Sequence, residues 1–409
     1  MANQPNARFY KNIFAHLDIS PIELTKAKTG RPSEKVALFR SFIVMKCEKI
    51  SQISVLLDYL RNNLIIAHLC GFNITEPLPS YWTFRRYIRN VANNILKEIM
   101  KTQVLELVEM KLLDGSFIGL DATPNAANTK LNNPKTFALN KFDPNNHPKS
   151  DADCTLGVRT ASNQHTDRNY EFYWGYKNHI LLDCITGLPI FETTTGAHTA
   201  DSSVALDILK NTHEFLSLDE CSFIGDAAYD IKDIYNTIRN LYHGDAYIPI
   251  NPRNTKNPEL LPAGNPVCDA GLAMPRDGKT YDRNRVKQKF CCPFKLSKAD
   301  VCPCNHPKWS SGKKTRGCTK HITIPNDYRL AIDRKSKNFK DVYKLRTECE
   351  RYNSRFKATG QERLWVRNFH SAQNLNSCAH IAILASAIAS RKTNSDFSYR
   401  AIFSIKRNA

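Results

Sequence analysis

Three acidic residues suggest the chemistry of this 409-residue chain: Asp121, Asp226 and Glu350. Asp121 and Asp226 each follow a short apolar run, FIGL at 117–120 and SFIG at 222–225. If both runs are neighbouring strands, the two carboxylates lie at one edge of a sheet, where they repel each other unless a proton or a metal ion lies between them. Carboxylate oxygens suit Mg²⁺ or Mn²⁺, and two such ions about 4 Å apart would support in-line phosphoryl transfer. Taken alone, each acid is more simply explained as a turn cap.

The third acid, Glu350, lies in a helical pattern with Tyr343, Arg346 and Lys357. At about 100° per residue, these four positions fall within about 60° of one another on one face of a continuous helix. A carboxylate among Arg, Lys and Tyr is unusual for a core-facing stripe, and it fits a metal ligand beside phosphate-binding groups. A solvated charged face is the simpler alternative, because these residue types mix on many exposed helices.

The segments around these acids follow a mixed α/β order. Residues 8–113 have helical periodicity, and the stretch PLPSYWTFRRYIRNV at 77–91 alternates aromatic residues with arginine. Such a helix can dock on DNA through Arg85 and Arg86, or it can simply face solvent. The later patterns predict strands at 117–121, 222–226 and 245–250, a long polar loop at 122–170, a β-hairpin at 175–195, and helices at 201–216, 229–241, from about 339 onwards and at about 371–391.

Positive charge is concentrated in one stretch of the chain. Of 58 basic and 39 acidic residues, which give a formal charge of +19, residues 251–340 contain 20 and 7, an excess of +13. This concentration favours a polyanionic partner such as DNA, with Lys313, Lys314 and Arg316 as candidate contacts, although a solvated surface explains the charge alone equally well. The longest apolar run, 381–389, is shorter than a bilayer span, and the N-terminal residues lack a signal-peptide pattern, so we expect no membrane association and a cytoplasmic location.

Six of the thirteen cysteines lie in the same basic stretch. In a cytosolic chain such clustering favours metal binding over disulfides. The spacing is not a clean pair of C-x-x-C motifs, and the alternative is a small β-rich insertion in which the cysteines merely pack. The candidate thiolate and imidazole ligands for a structural zinc are Cys268, Cys292, Cys302, Cys304, Cys318 and His321.

One pattern resembles a known family signature. Tyr343, Arg346, Glu350 and Lys357 match Y-x(2)-R-x(3)-E-x(6)-K without a gap, and this resembles the signature of a large group of bacterial insertion-sequence DDE transposases. The segments around the first acid, the hairpin and the second acid also resemble those of that family: GLDATP, YWGYKNHILLDCITGLPI and FIGDAAYD. The N-terminal segments GRPSEKVALFR and PSYWTFRRY resemble the helical domain that precedes many such cores.

The resemblance implies a function and a fold. Asp121, Asp226 and Glu350 would hold two Mg²⁺ or Mn²⁺ ions on a ribonuclease-H-like mixed sheet. Tyr343, Arg346 and Lys357 would contact the end of the element. The protein would cleave the phosphodiester at that end and join the 3′-hydroxyl to target DNA on the bacterial nucleoid, as a homodimer in a synaptic complex with double-stranded DNA.

Two alternatives stay open from the sequence. A nuclease of the same fold would keep the three acids, and a catalytically inactive or domesticated copy would act only as a DNA-binding protein. The acids Asp114, Asp230 and Glu348, which lie close to the three in sequence, are interpreted as structural. The expected organisation is a helical DNA-binding domain at 1–113, the first part of the catalytic core at 114–250, a basic Cys-rich insertion at 251–340, and C-terminal helices completing the core at 341–409.

Overall fold

The computed structural model describes residues 5–23, 34–160, 170–251, 260–282, 285–298, 301–302, 304–306, 309, 317–324, 328–393 and 399–407. Over these residues the protein is a mixed α/β structure of helices and sheets. The chain forms two compact units. The first unit comprises residues 1–217 together with 347–409, and the second comprises residues 218–346.

The first unit begins with helices that pack through aromatic side chains. The basic aromatic stretch forms a helix because Ser80, after Pro79, stands at its N-cap and its apolar residues Phe84 and Ile88 are one turn apart and buried. The Phe84 ring meets Phe42 edge-on at 6.1 Å between centroids. The helices are α1 (Pro5–His16), α2 (Ser20–Glu23), α3 (Lys35–Cys47), α4 (Ile53–Asn62), α5 (Leu64–Cys70), α6 (Tyr81–Asn90) and α7 (Asn93–Glu109).

The first unit also contains an antiparallel sheet built around one long strand. Its strands are β1 (Phe117–Ala126), β2 (Thr155–Thr160), β3 (Tyr170–Asp183) and β4 (Pro189–Gly196). β1 pairs with one edge of β3, while β2 and β4 pair with successive halves of the other edge. The predicted hairpin at 175–195 is therefore confirmed as β3 and β4. Gly187 permits its turn, because φ there is +72°.

The first strand is longer than the sequence predicts. Asp121 does not end β1 but lies at its middle, opposite Ile180 of β3. The continuation through Pro124 and Asn125 lacks the usual strand signals, yet it pairs with β3 as far as Ala126. Long-range pairing overrides local propensity here, and the buried Asn125 is tolerated because its amide donates to the Gln361 carbonyl at 2.6 Å. The predicted loop at 122–170 therefore contains the end of β1 and all of β2.

Four later helices complete the first unit. They are α8 (Asp201–His213), α13 (Thr347–Phe356), α14 (Phe369–Lys392) and α15 (Ile402–Arg407). The predicted apolar helix at 371–391 is confirmed as α14, which is buried almost all round and packs on α3, α6, α7 and β4. Its small residues let these neighbours approach closely. In the part of the chain that the structure describes, none of the helices combines the length and the hydropathy that a bilayer crossing requires.

The second unit contains a parallel strand pair and a separate antiparallel sheet. β5 (Ser222–Ile224) pairs with β6 (Asp245–Tyr247), and β7 (Arg276–Asp282), β8 (Arg285–Cys291) and β9 (Thr319–Ile324) form the three-stranded sheet. The helix predicted at 229–241 begins later, because a 3₁₀ turn (Ala227–Tyr229) precedes it, and it ends as a π turn (Thr237–Leu241). The helices are α9 (Lys232–Asn236), α10 (Pro293–Leu296), α11 (Tyr328–Ala331) and α12 (Lys337–Tyr343).

Candidate active site

Asp121 is held by a contact from the helix that carries Glu350. The half-exposed Asp121 side chain accepts a hydrogen bond through Oδ2 from Nδ2 of Asn353 at 2.9 Å. Asn353 lies on α13, which packs against β1. Glu350 precedes Asn353 by three residues, so the two side chains lie about 60° apart on the helix. The α13 face that touches Asp121 is therefore the face that carries the exposed Glu350.

The neighbouring acid on α13 has a different environment. Glu348 is 4% exposed, and its Oε1 accepts a hydrogen bond from Arg355 at 2.9 Å. Arg355 also donates to the Gly187 carbonyl at the β3–β4 turn. Glu348 therefore fixes the helix to the hairpin, which confirms its structural interpretation and leaves Glu350 as the accessible acid.

In the second unit, Asp226 follows β5 and Gly225. Its Oδ1 accepts the backbone N–H of Ala228 at 2.7 Å and so caps the 3₁₀ turn. Its Oδ2 lies 4.0 Å from the Arg346 guanidinium, and the side chain is 38% exposed. Asp226 thus serves as the turn cap that its position suggests, and it still presents its second oxygen beside a cation.

Asp230, one turn further on, is a buried structural acid. Its carboxylate receives two hydrogen bonds from Arg329, at 2.6 and 2.5 Å, and it also accepts the Tyr235 hydroxyl and the Asn251 backbone N–H. It is 1% exposed, and these partners from the second unit compensate its buried charge. This confirms the structural interpretation of Asp230.

The predicted continuous helix that carries Tyr343, Arg346, Glu350 and Lys357 is wrong. α12 ends at Tyr343, a 3₁₀ turn covers Lys344–Arg346, α13 begins at Thr347, and a π turn follows at Lys357–Gln361. A 3₁₀ turn rotates by about 120° per residue, so angles reckoned at 100° do not carry through it. Tyr343 stacks on Phe339 with centroids 5.7 Å apart, and Arg346 lies beside Asp226.

A buried polar chain fixes the π turn that contains Lys357. Nζ of Lys46 on α3 donates to Gln361 Oε1 at 2.8 Å, and Gln361 Nε2 donates to Asn376 Oδ1 at 2.8 Å. Asn376 in turn donates to Asn125 on β1 at 3.1 Å. Burial lowers the pKa of Lys46 to about 8. This series of hydrogen bonds connects the π turn after α13 to β1, the strand that carries Asp121.

The basic aromatic helix α6 presents part of a cleft in the first unit. Arg85 stacks over Trp82 at 5.3 Å, and Arg363 stacks over Trp365 at 5.1 Å. Arg85, Trp365 and Arg367 line the same small cleft, while Arg86 is exposed on α6. Trp365, Arg363 and Arg367 were not singled out from the sequence. The run RLWVR at 363–367 nevertheless combines aromatic and basic residues, as α6 does. Lys313, Lys314 and Arg316 lie outside the described residues.

The sulfur atoms of the basic stretch converge in the second unit. The sulfurs of Cys268, Cys304 and Cys318 lie within 4.8 Å of one another, and Cys302 Sγ is 3.2 Å from Cys304 Sγ. Cys292 contacts Cys318 through its side chain. His321 does not join them. It pairs with Lys289 across β8 and β9 and is exposed, whereas the next residue, Ile322, packs against the cysteine cluster.

Comparison with known proteins identifies the family. Residues 146–384 match the family described as Transposase DDE domain, which is more than half of the chain. The chain therefore belongs to the DDE transposase family. The matched segment includes Asp226 and Glu350 and begins after Asp121.

Solved structures show a distant similarity. A cryo-EM structure of the piggyBac transposase synaptic complex with hairpin DNA is 12% identical, with a TM-score of 0.44, over 98% of this chain and 78% of that one. The Mos1 transposase paired-end complex with the left transposon end is 11% identical, with a TM-score of 0.18, over 57% of this chain and 64% of that one. No curated protein matches the chain.

Proposed function

We propose that this protein is a DNA transposase of the insertion-sequence type that cleaves and joins DNA by metal-dependent phosphoryl transfer, with Asp121, Asp226 and Glu350 as its acids. The observation that carries the proposal is the hydrogen bond between Asn353 and Asp121, because it joins the α13 face bearing Glu350 to the strand bearing Asp121. Membership of the DDE transposase family supports the same assignment.

The three proposed acids carry the ligand type that hard divalent cations prefer. Asp121 and Asp226 are half-exposed and Glu350 is exposed, and all three present carboxylate oxygens, the ligand type that Mg²⁺ and Mn²⁺ prefer. Two bound ions would activate the attacking oxygen and neutralise charge on the leaving oxygen. Asn353 would keep one Asp121 oxygen fixed, as the Ala228 N–H does for Asp226, so that each carboxylate offers its ligands from a defined orientation.

The proposed reaction has two transfers at phosphorus. Water attacks the phosphodiester at the element end and the P–O3′ bond breaks, which leaves a 3′-hydroxyl and a 5′-phosphate. That hydroxyl, having lost its proton to solvent, then attacks a target phosphodiester. A new P–O bond joins the element end to the target, the P–O3′ bond of the target breaks, and the released 3′-oxygen takes up a proton from solvent. Arg346 and Lys357 are the proposed phosphate contacts, and Tyr343 the proposed contact to the DNA end.

The remaining assignments belong to the same proposal. The core at 114–250 and 341–409 would be ribonuclease-H-like, the helices at 1–113 would bind element ends through Arg85 and Arg86, and 251–340 would be a basic insertion. The partners are element ends and target DNA, bound by a homodimer in a bacterial cell. The family signature Y-x(2)-R-x(3)-E-x(6)-K is the reason for placing the chain in the bacterial insertion-sequence group.

The test is cleavage of candidate element ends with Mg²⁺ or Mn²⁺, read as 3′-hydroxyl formation on a denaturing gel. Asp121→Asn, Asp226→Asn and Glu350→Gln should each abolish cleavage and leave end binding largely intact, because most DNA affinity comes from phosphate contacts elsewhere. A near wild-type rate in any one of them would remove that residue from the site. Joining of the cleaved end to added target DNA separates a transposase from a nuclease, and a wild-type protein that binds without cutting would be an inactive copy.

The controls must be exposed acids. Glu348→Gln and Asp230→Asn are unsuitable, because each would remove the charge of a buried carboxylate that pairs with an arginine and so destabilise the fold. Asp233→Asn in α9 and Glu362→Gln after the π turn change exposed carboxylates in the same way, and both should cut at wild-type rate.

A further inference from the structure

The cysteine cluster of the second unit lies at one end of the three-stranded sheet. Cys268 precedes β7, Cys292 follows β8, Cys304 lies in the β8–β9 connection, and Cys318 immediately precedes β9. Three of these sulfurs, those of Cys268, Cys304 and Cys318, lie within 4.8 Å of one another, and the Cys292 side chain contacts Cys318. We propose that Cys268, Cys292, Cys304 and Cys318 bind one structural Zn²⁺, a site that is independent of the proposed catalytic acids.

The spacing of the sulfurs fits a single ion. Zinc–thiolate bonds of about 2.3 Å in a tetrahedron place the sulfurs about 3.8 Å apart. The sulfurs of Cys268, Cys304 and Cys318 are already within 4.8 Å of one another, and three of the four proposed ligand residues are buried while Cys304 is half-buried. An iron–sulfur cluster would hold its cysteine sulfurs farther apart, so the geometry favours one tetrahedral ion.

The fourth ligand is assigned to Cys292 rather than to Cys302. At 3.2 Å, the sulfurs of Cys302 and Cys304 are closer than two corners of a zinc tetrahedron and are hydrogen-bonded to each other. The Cys302 sulfur also accepts the backbone N–H of His306. Cys302 is therefore interpreted as a hydrogen-bonding neighbour of the Cys304 ligand. Cys292 is hydrogen-bonded through its side chain both to Cys318 and to Cys302, and its contact with Cys318 makes it the proposed fourth ligand.

The sheet register separates the ligands from the residues that do not bind. Phe290 and Ile322 pack against the cysteine cluster, so alternate residues Lys289, Cys291 and His321 face away from it. Cys291 Sγ lies instead 3.8 Å from the Pro275 carbonyl oxygen. Cys291 is thus a control that differs from Cys292 by one position in the chain and by the side of the sheet it faces.

A metal ion would also stabilise this part of the fold. Among the described residues, the apolar side chains around the cluster other than cysteine are Met274 and Phe290, which are buried, and Phe294, Trp309 and Ile322, which are partly buried. A three-stranded sheet with so small a core is marginal by itself, and small modules of this kind are commonly stabilised by a metal or by disulfides. Zinc bound to the four segments would contribute directly to folding.

The experiment measures metal in the full chain, purified without chelator from cells grown with added zinc. We expect about one zinc per chain, and Co²⁺ substitution should give the absorption of a tetrahedral site with four thiolates. Serine variants of Cys268, Cys292, Cys304 and Cys318 should each lose most of the metal. Cys291→Ser and Cys302→Ser should retain it. None of these measurements depends on DNA cleavage, so a failed catalytic proposal leaves them unaffected.

Several outcomes would overturn the site. Wild-type protein with less than about a tenth of an equivalent of zinc, bound iron with sulfide, or a Cys302–Cys304 disulfide found by alkylation and mass spectrometry would each exclude it. Variants can lose metal because they misfold, and the wild-type Co²⁺ spectrum does not depend on them. A folded wild-type protein whose Co²⁺ spectrum shows fewer than four thiolate ligands contradicts the assignment. Loss of metal in Cys302→Ser but not in Cys292→Ser would overturn the choice of the fourth ligand.

Discussion

Asn353 is the residue through which α13 touches Asp121, and its amide is the kind of group that orients a metal-binding carboxylate. The Nδ2–Oδ2 distance of 2.9 Å is that of a good hydrogen bond to an ionised acceptor, worth about 1.5–3 kcal/mol. Its spacing of three residues from Glu350 was visible in the sequence. Its partner was not, because only the fold brings residues 121 and 353 together.

Asn353→Ala should lower end cleavage at least tenfold, about 1.4 kcal/mol of transition-state stabilisation, because an unfixed Asp121 no longer holds its ligand geometry. The concentration of Mg²⁺ or Mn²⁺ needed for half-maximal cleavage should rise, while gel-shift binding of end DNA stays unchanged. Ser354→Ala, an exposed change on the next residue, is the control. A lower rate with an unaltered metal requirement would mean that Asn353 only supports the fold.

Substitution of Arg346 can distinguish a role in positioning the phosphate from a role that depends only on positive charge. Its guanidinium lies 4.0 Å from Asp226, and a planar fork can hold a phosphate through two hydrogen bonds where a lysine offers one point charge. Arg346→Lys should therefore lower cleavage at least tenfold even though the charge is kept. Arg351→Lys is the matched control, because Arg351 is 68% exposed and pairs with Glu348. Equal rates in the two variants would reduce Arg346 to a surface charge.

At the scale of elements, α13 and α14 meet β3 through a neutral histidine. His380 of α14 stacks on Phe356 at 4.6 Å, accepts the Tyr352 hydroxyl at Nδ1, and donates from Nε2 to Asn178 Oδ1 at 2.9 Å. The Asn178 amide nitrogen already donates to Glu192, which fixes this tautomer. Burial lowers the pKa of His380 to about 3. These contacts hold together the helix that carries Glu350 and the long strand beside β1.

Acid should therefore weaken the first unit through His380. The unfolded chain, with an ordinary histidine pKa near 6.5, binds a proton that the native state refuses until about pH 3, so stability falls as the pH drops through that window. From pH 7 to pH 5 the loss is about 2 kcal/mol. Urea unfolding at pH 7 and pH 5 should show a smaller drop for His380→Gln than for wild type, although the variant is less stable throughout.

The comparison isolates His380 from its charged surroundings. Burial raises the pKa of Glu192, so its protonation acts in the opposite direction. Glu192 is present in wild type and variant alike. Identical pH dependence in the two proteins would show that His380 does not titrate on unfolding.

The sequence predicted the elements that local patterns determine, and it did not predict those that depend on long-range contacts. The β3–β4 hairpin and α14 were predictable, because alternation and a long apolar run with helical spacing are local signals. The continuation of β1 beyond Asp121 was not, since Pro124 and Asn125 argue against a strand and only pairing with β3 keeps them in one. The break between α12 and α13 was hidden for a similar reason, because the residues of the 3₁₀ turn have ordinary helical propensity.

At the scale of the whole molecule, the excess of positive charge has two components. The formal charge of +19 attracts any polyanion, but +13 of it lies in residues 251–340, where β8 carries Lys287 and Lys289 on the face opposite the cysteine cluster. Net charge steers association over distances up to the Debye length, whereas phosphate contacts release counterions one by one. Only the second effect sets the slope of binding against salt concentration.

That distinction yields a test for the basic insertion as a DNA contact. Replacing Lys313, Lys314 and Arg316 with alanine should reduce the slope of log K against log salt by about 0.9 for each lost phosphate contact, up to about 2.7 in all. The control triple, Lys135, Lys149 and Lys210 to alanine, removes the same charge from exposed positions of the first unit outside the proposed DNA-binding helices. Titration of duplex DNA by fluorescence anisotropy at several salt concentrations gives both slopes. The two variants have equal net charge, so a larger reduction of the salt slope in the first variant must come from local contacts. Equal slopes in the two variants would mean that the insertion attracts DNA without contacting it.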